Sequence, residues 1–283
     1  MNIKLIADST CDLPGELLQK HNIRLVPLSI VLDNQILKDG VEIAPNEIFD
    51  YVESGKGMCR TSAVNVAEYM AVYQEELPTC DAIIHFTISS EMSSCYQNAC
   101  LAAEEFDNIY IVDSRNLSNA IGLLVLEVAE LAIKNINAKE IHHKITQHIA
   151  LLDASFLLDT LSYLHKGGRC TAIQAIASSV LKIKPSIIVV DGKMTVGKKY
   201  RGKLESVLRQ YVEDKLSDKE NIDTHRIFVA HTMTESNRLV VDMVKSLIYD
   251  ILPFKEIYET TAGGTISCHC GPNTLGLFFL RKE

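Results

Sequence analysis

The spacing of apolar and polar positions changes halfway along the chain. In the first half, β-rich runs at residues 3–7, 24–32, 82–88 and 108–112 take turns with stretches of helical spacing that begin at Pro14, at Pro45 and after Ser94. Strands that alternate with helices imply a parallel sheet covered on both faces. A long apolar helix is expected over residues 120–136. In the second half, residues 186–190 and 193–196 flank Asp191-Gly192, a pair suited to a two-residue type I′ turn, so an antiparallel hairpin is expected. Strands at 226–230, 256–260 and 274–280, with a helix over 235–251, extend this into an antiparallel sheet backed by helices. The expected fold class is therefore α/β. An N-terminal parallel-sheet α/β domain covers residues 1–150, and a C-terminal α+β domain with a mainly antiparallel sheet covers 151–283, the elements being free to interleave. The charged helical stretch near the boundary carries His142, His143 and His148 without catalytic spacing and reads as a solvated face.

Composition sharpens this picture. The chain has 283 residues, 47% of them hydrophobic, which is enough for a substantial core and two domains of ordinary size. No basic segment followed by an apolar stretch opens the sequence, and the longer apolar runs are interrupted. A cytoplasmic protein without stable membrane insertion is expected. Eight scattered cysteines in a chain of this size read as reduced thiols. Cys268-His269-Cys270 has no second ligand pair at zinc-site spacing, so neither a metal nor another cofactor is expected. The net charge is −8, yet nine basic residues stand against Asp191 alone between Lys166 and Lys203. Such a block steers an anionic ligand or an acidic partner. Nucleic acid is disfavoured, because the basic residues lack interleaved aromatics and the chain as a whole is acidic.

Candidate chemistry sits at strand ends. The strand over 83–88 runs into Ser89-Ser90-Glu91-Met92-Ser93-Ser94 and then a helical pattern, which suits either N-capping or an anion held by hydroxyls and open N–H groups. Asp8-Ser9-Thr10-Cys11-Asp12 is read mainly as a cap for the helix starting near Pro14, and Thr61-Ser62 as a cap for the next apolar helix. A glycine-rich loop is expected over 262–273, carrying His269 as a hydrogen-bond donor or proton-transfer group. No G-x-S-x-G elbow and no phosphate-binding loop occur. What remains is an anion site beside apolar stretches such as 172–180 and 187–190, fit for a ligand with one anionic end and a long apolar body. A rival reading is a lipid-acting serine hydrolase or acyltransferase with Ser93 as nucleophile and His269 as base.

Taken in order, Asp8-Ser9-Thr10-Cys11-Asp12-Leu13-Pro14, Asp39-Gly40, Thr61-Ser62, Ser89 to Tyr96, Asp113-Ser114, Lys166-Gly167-Gly168-Arg169, Lys182-Ile183-Lys184-Pro185, Arg201-Gly202-Lys203 and His269-Cys270-Gly271-Pro272 resemble the DegV family. These are the fatty-acid-binding subunits of bacterial fatty acid kinase, and the resemblance spans nearly the whole chain. It implies a long-chain fatty acid held between two domains. Thr61 or Ser62 and Ser93 or Ser94 would contact the carboxylate, with His269 nearby, and the helix after Arg169 would help enclose the tail. It also implies a carrier that is not itself catalytic and that presents the carboxylate to a separate ATP-dependent kinase. In that setting Arg169 and Arg201 would offset acyl-phosphate charge or meet an acidic kinase surface. The chain departs from the usual family pattern at Ala63-Val64, Ser94-Cys95, Cys270 and Asn273.

Overall fold

The computed structural model describes residues 1–134, 136–171 and 183–282. The chain opens with β1 (Ile3–Asp8), α1 (Gly15–Lys20) and β2 (Arg24–Val26), followed by β3 (Ser29–Leu32), β4 (Gln35–Lys38), α2 (Pro45–Glu53) and β5 (Arg60–Ser62). Next come α3 (Val66–Glu76), β6 (Ala82–Thr87), α4 (Cys95–Ala103), β7 (Ile109–Asp113), α5 (Asn119–Ala132) and α6 (Ala138–His148). Four of these strands form the expected parallel sheet, in the order β2-β1-β6-β7. All six residues of β6 are buried, as an interior parallel strand requires when both of its faces are covered.

The run over 24–32 is not one strand. Pro27 supplies no backbone donor, and the chain breaks there. β2 joins the parallel sheet, whereas β3 pairs antiparallel with β4 and β5 in a separate three-stranded sheet. This small sheet was not anticipated.

The second half contains β8 (Leu152–Leu157), α7 (Ser162–Gly167), β9 (Ile183–Val190), β10 (Lys193–Arg201), α8 (Leu204–Lys215), β11 (Ile222–His231), α9 (Leu239–Ile251), β12 (Glu256–Thr261), α10 (Gly264–Cys270) and β13 (Leu275–Arg281). Its sheet has the order β10-β9-β8-β13-β11-β12, antiparallel throughout except for the β11–β12 pair. The hairpin forms where expected. Asp191 and Gly192 take φ values of 49° and 81°, the left-handed pair a type I′ turn needs.

Helix α5 is buried on nearly all sides and packs against β1 and β6 of one sheet and β8 and β13 of the other. An apolar circumference of this kind marks a helix sandwiched between layers. The hairpin tip docks across the layers, where Ser89 Oγ donates to Gly192 O at 2.8 Å and the Arg115 guanidinium to Asp191 O. The expected loop over 262–273 is mostly helix, α10, and this helix packs against α2, β3 and β5 of the first half. Among the described residues, no helix is long and apolar enough to cross a membrane.

Candidate functional site

A cavity with about 800 Å³ of open space, counted to its mouth, lies between the sheets. Its apolar wall comes from both halves of the chain. Ile88, Met92 and Leu117 follow the parallel strands, while Phe156, Met194 and Phe278 stand on β8, β10 and β13.

Its polar end is built where β5 meets α10, and the loop after β6 adds Ser93 to the lining. Pairing of β5 with β3 sets Thr61 opposite Ile30, and Thr61 Oγ1 lies 2.9 Å from His269 Nε2. Thr61 and Ser62 are free of the expected capping duty. Asn65 caps α3 instead, accepting from Glu68 N at 3.0 Å while the Glu68 carboxylate accepts from Asn65 N at 3.1 Å. Ser93 also lines the cavity; its hydroxyl accepts from Cys95 N at 3.3 Å at the start of α4. Burial, reinforced by the Arg169 charge, pushes the His269 imidazole down to about 4. The ring is therefore neutral at pH 7, and its Nδ1 is shielded from water with no hydrogen-bond partner among the described residues.

Three buried aspartates hold these fragments in place. Asp39 accepts from Gly264 N at 2.8 Å and Thr265 N at 3.1 Å, capping α10 with a carboxylate, and also from Ser9 Oγ at 2.9 Å. A Cβ on Gly264 would sit 2.8 Å from Asp39 Oδ1 and 2.6 Å from Ile30 Cδ1, so only glycine lets the carboxylate approach. Asp12 accepts from Gly263 N at 2.9 Å and Ser118 Oγ at 2.5 Å, and burial pushes its pKa up to about 7. Asp8 accepts from Tyr69 Oη at 2.7 Å and Ile88 N at 3.2 Å, pinning the turn that leads to Ser93. The segment from Asp8 to Asp12 thus braces the site. No side chain from it caps α1, whose N-cap is Pro14.

Of the residues singled out in the sequence, the structure gathers Thr61, Ser62, Ser93, Arg169 and His269 around one cavity. Arg169 is exposed at its edge, its guanidinium donating to Gly167 O at 2.9 Å. Ser94 and Arg201 are exposed and outside the described lining, Arg201 ending the edge strand β10. The helix expected after Arg169, the apolar stretch 172–180 and Lys182 lie outside the described residues. Sequence reasoning missed Ser118, Thr232 and Thr265 as lining residues. Thr265 Oγ1 is buried with no partner among the described residues, a polar group available to a ligand. His269 Nε2 pairs with Thr61, and no Ser93–His269 hydrogen bond is present among the described residues. No group of three or more His, Cys, Asp or Glu placed to hold a metal ion occurs among them either.

Fold and site define a layered α/β protein with a cavity between a parallel and a mainly antiparallel sheet, lined mainly by apolar side chains and by hydroxyls that include Thr61, which pairs with His269. The chain belongs to the DegV family, whose model, described as "Uncharacterised protein, DegV family", matches residues 2–282. Protein DegV of Bacillus subtilis is 30% identical, the match covering all of both chains. A DegV family protein from Thermus thermophilus, described by its fatty acid binding, has 28% identity and a TM-score of 0.92 over the whole of both chains. A stearic-acid-binding protein from Eubacterium ventriosum has 27% identity and a TM-score of 0.85, covering 99% of this chain and 98% of that one.

Proposed function

We propose that this chain binds a long-chain fatty acid in the cavity, with the carboxylate at Thr61, Ser62 and Ser93 and the tail along Ile88, Met92, Phe156 and Phe278. The observation that carries this reading is the Thr61–His269 pair at the hydroxyl-lined end of a cavity whose remaining wall is mainly apolar. Hydroxyl donors suit a carboxylate, because hydrogen bonds to an ionised acceptor are stronger than neutral ones. A neutral histidine adds a donor without adding a buried charge. The ligands named for the Thermus and Eubacterium relatives support the same assignment.

The chain acts as a carrier. It presents the carboxylate to a separate kinase in the cytoplasm for ATP-dependent acyl-phosphate formation, with Arg169 beside the cavity and Arg201 on the edge strand meeting the added charge or an acidic kinase surface. Native mass spectrometry of the purified protein tests the binding. A noncovalent adduct of fatty-acid mass, released by organic solvent, is expected. An empty protein that also refuses added palmitate would overturn the assignment. For the kinase step, acyl phosphate should form only when carrier, kinase and ATP are all present.

A further inference from the structure

Cys59 precedes β5 and Cys268 lies in α10, beside the two residues that join at the polar end of the cavity. The segments run together. Thr61 meets His269 at 2.9 Å, and Cys59 Sγ lies 3.7 Å from Cys268 O although 209 positions separate the two cysteines in sequence. Both thiols belong to one small core with Ile30, Ile43 and Ile48, and both are reduced. The neighbouring Cys268 lowers the Cys59 pKa. Both thiols are buried, Cys268 at 1% and Cys59 at 6% exposure, but Cys59 lies between half-buried Met58 and exposed Arg60, which makes the Cys59 side the nearer to the surface.

We propose that Cys59 and Cys268 form a reversible disulfide that tethers β5 to α10 beside the polar end of the cavity. The oxidant is a low-molecular-weight disulfide. The Cys59 thiolate attacks one of its sulfurs, forming a mixed disulfide and expelling one thiolate. The Cys268 thiolate then attacks Cys59 Sγ and expels the second. Two protein thiols are oxidised, one external disulfide is reduced to two thiols, and the two protons lost by the cysteines pass to the leaving thiolates. Because Thr61 and His269 are fixed by these same two segments, the tether restrains the groups at the polar end and slows ligand exchange. This consequence rests on the fatty-acid reading, whereas the tether itself does not.

The test treats the folded full-length protein with oxidised glutathione, alkylates the remaining thiols and maps the peptides by mass. The expected product has lost two alkylatable thiols, carries the Cys59–Cys268 crosslink, and returns to eight reactive thiols with dithiothreitol. The Cys59→Ser variant should form no intramolecular crosslink. A protein that keeps all eight thiols alkylatable, or that crosslinks other cysteines, would overturn the tether. Release of bound palmitate should slow at least threefold in the oxidised protein, and an unchanged rate would overturn the coupling. If the reduced protein binds no palmitate at all, the fatty-acid reading fails while the mass map still decides on the tether.

Discussion

The apolar wall of the cavity draws on regular elements, with Phe156, Met194 and Phe278 standing on strands of one sheet, whereas its polar end joins Thr61, Ser93 and His269 from segments far apart in sequence. The apolar wall needs only the right volume and polarity at each position, which many side chains satisfy. The polar end needs particular atoms at particular distances, and it obtains them from buried carboxylates that bind backbone N–H groups. The difference teaches where the molecule is fragile. Substitutions behind the polar end should cost more than changes of similar size along the apolar wall.

The largest expected effect is on folding. Asp39→Ala leaves Gly264 N, Thr265 N and Ser9 Oγ without their acceptor, and at roughly 1–3 kcal/mol for each unsatisfied buried group the loss should be about 3 kcal/mol or more. Urea denaturation measures it. A loss below about 1 kcal/mol would deny Asp39 its bracing role. Next in size, Thr61→Val combined with His269→Ala should weaken palmitate binding about 10- to 100-fold, equivalent to ~1.4–2.8 kcal/mol. Isothermal titration reads this directly, and unchanged affinity would move the carboxylate elsewhere.

A pH comparison isolates Asp12. Its folded pKa of about 7 stands above the ordinary carboxylate value of 3.8, so between those limits the folded protein binds more protons than the unfolded chain. Stability from this group therefore falls as pH rises from about 4 to about 7. Asp12→Asn removes the titration, so the stability of the variant relative to the parent should improve across that window. Urea midpoints at pH 4.5 and 7.5 should show it, and a shift in the opposite sense would contradict the burial argument. His269 works against Asp12: its folded pKa of about 4 disfavours folding as pH drops below 6.5, so the comparison is made within the same His269 background.

Smaller effects belong to the apolar wall and the surface. Met194→Leu conserves volume and polarity and should change stability by less than about 1.5 kcal/mol. Palmitate affinity should stay within about threefold, ~0.7 kcal/mol. Ser94→Ala and Arg201→Ala, exposed and outside the described lining, should leave palmitate affinity essentially unchanged, whatever they do to a kinase partner.

The same division decided what could be read from the sequence. Periodicity gave the parallel strands, the apolar helix α5 and the Asp191-Gly192 hairpin, because each signal is local. It missed β8 and the three-stranded sheet, whose strands make sense only once their distant partners are known. Pro27 was the available sign that residues 24–32 could not remain one strand. Thr61, Ser93 and His269 were legible as chemistry within family-like motifs, yet their meeting point was not. Asp12 was read as part of a helix cap and Asp39 only as part of a family-like motif, because nothing local shows that each reaches α10 from more than 200 positions away. The glycines near 263 resembled a loop for a related reason. Gly264 exists to admit a distant carboxylate at a helix start, and helix propensity alone argues against glycine there.

The most direct test of carboxylate capture at the Thr61–His269 end is NMR of palmitate labelled with ¹³C at its carboxyl carbon. Bound to the parent protein, the label should give a single shifted resonance in slow exchange with free ligand, and Thr61→Val should move or broaden it. A folded parent protein that gives no bound resonance, or a bound resonance indifferent to Thr61→Val, would contradict the assignment.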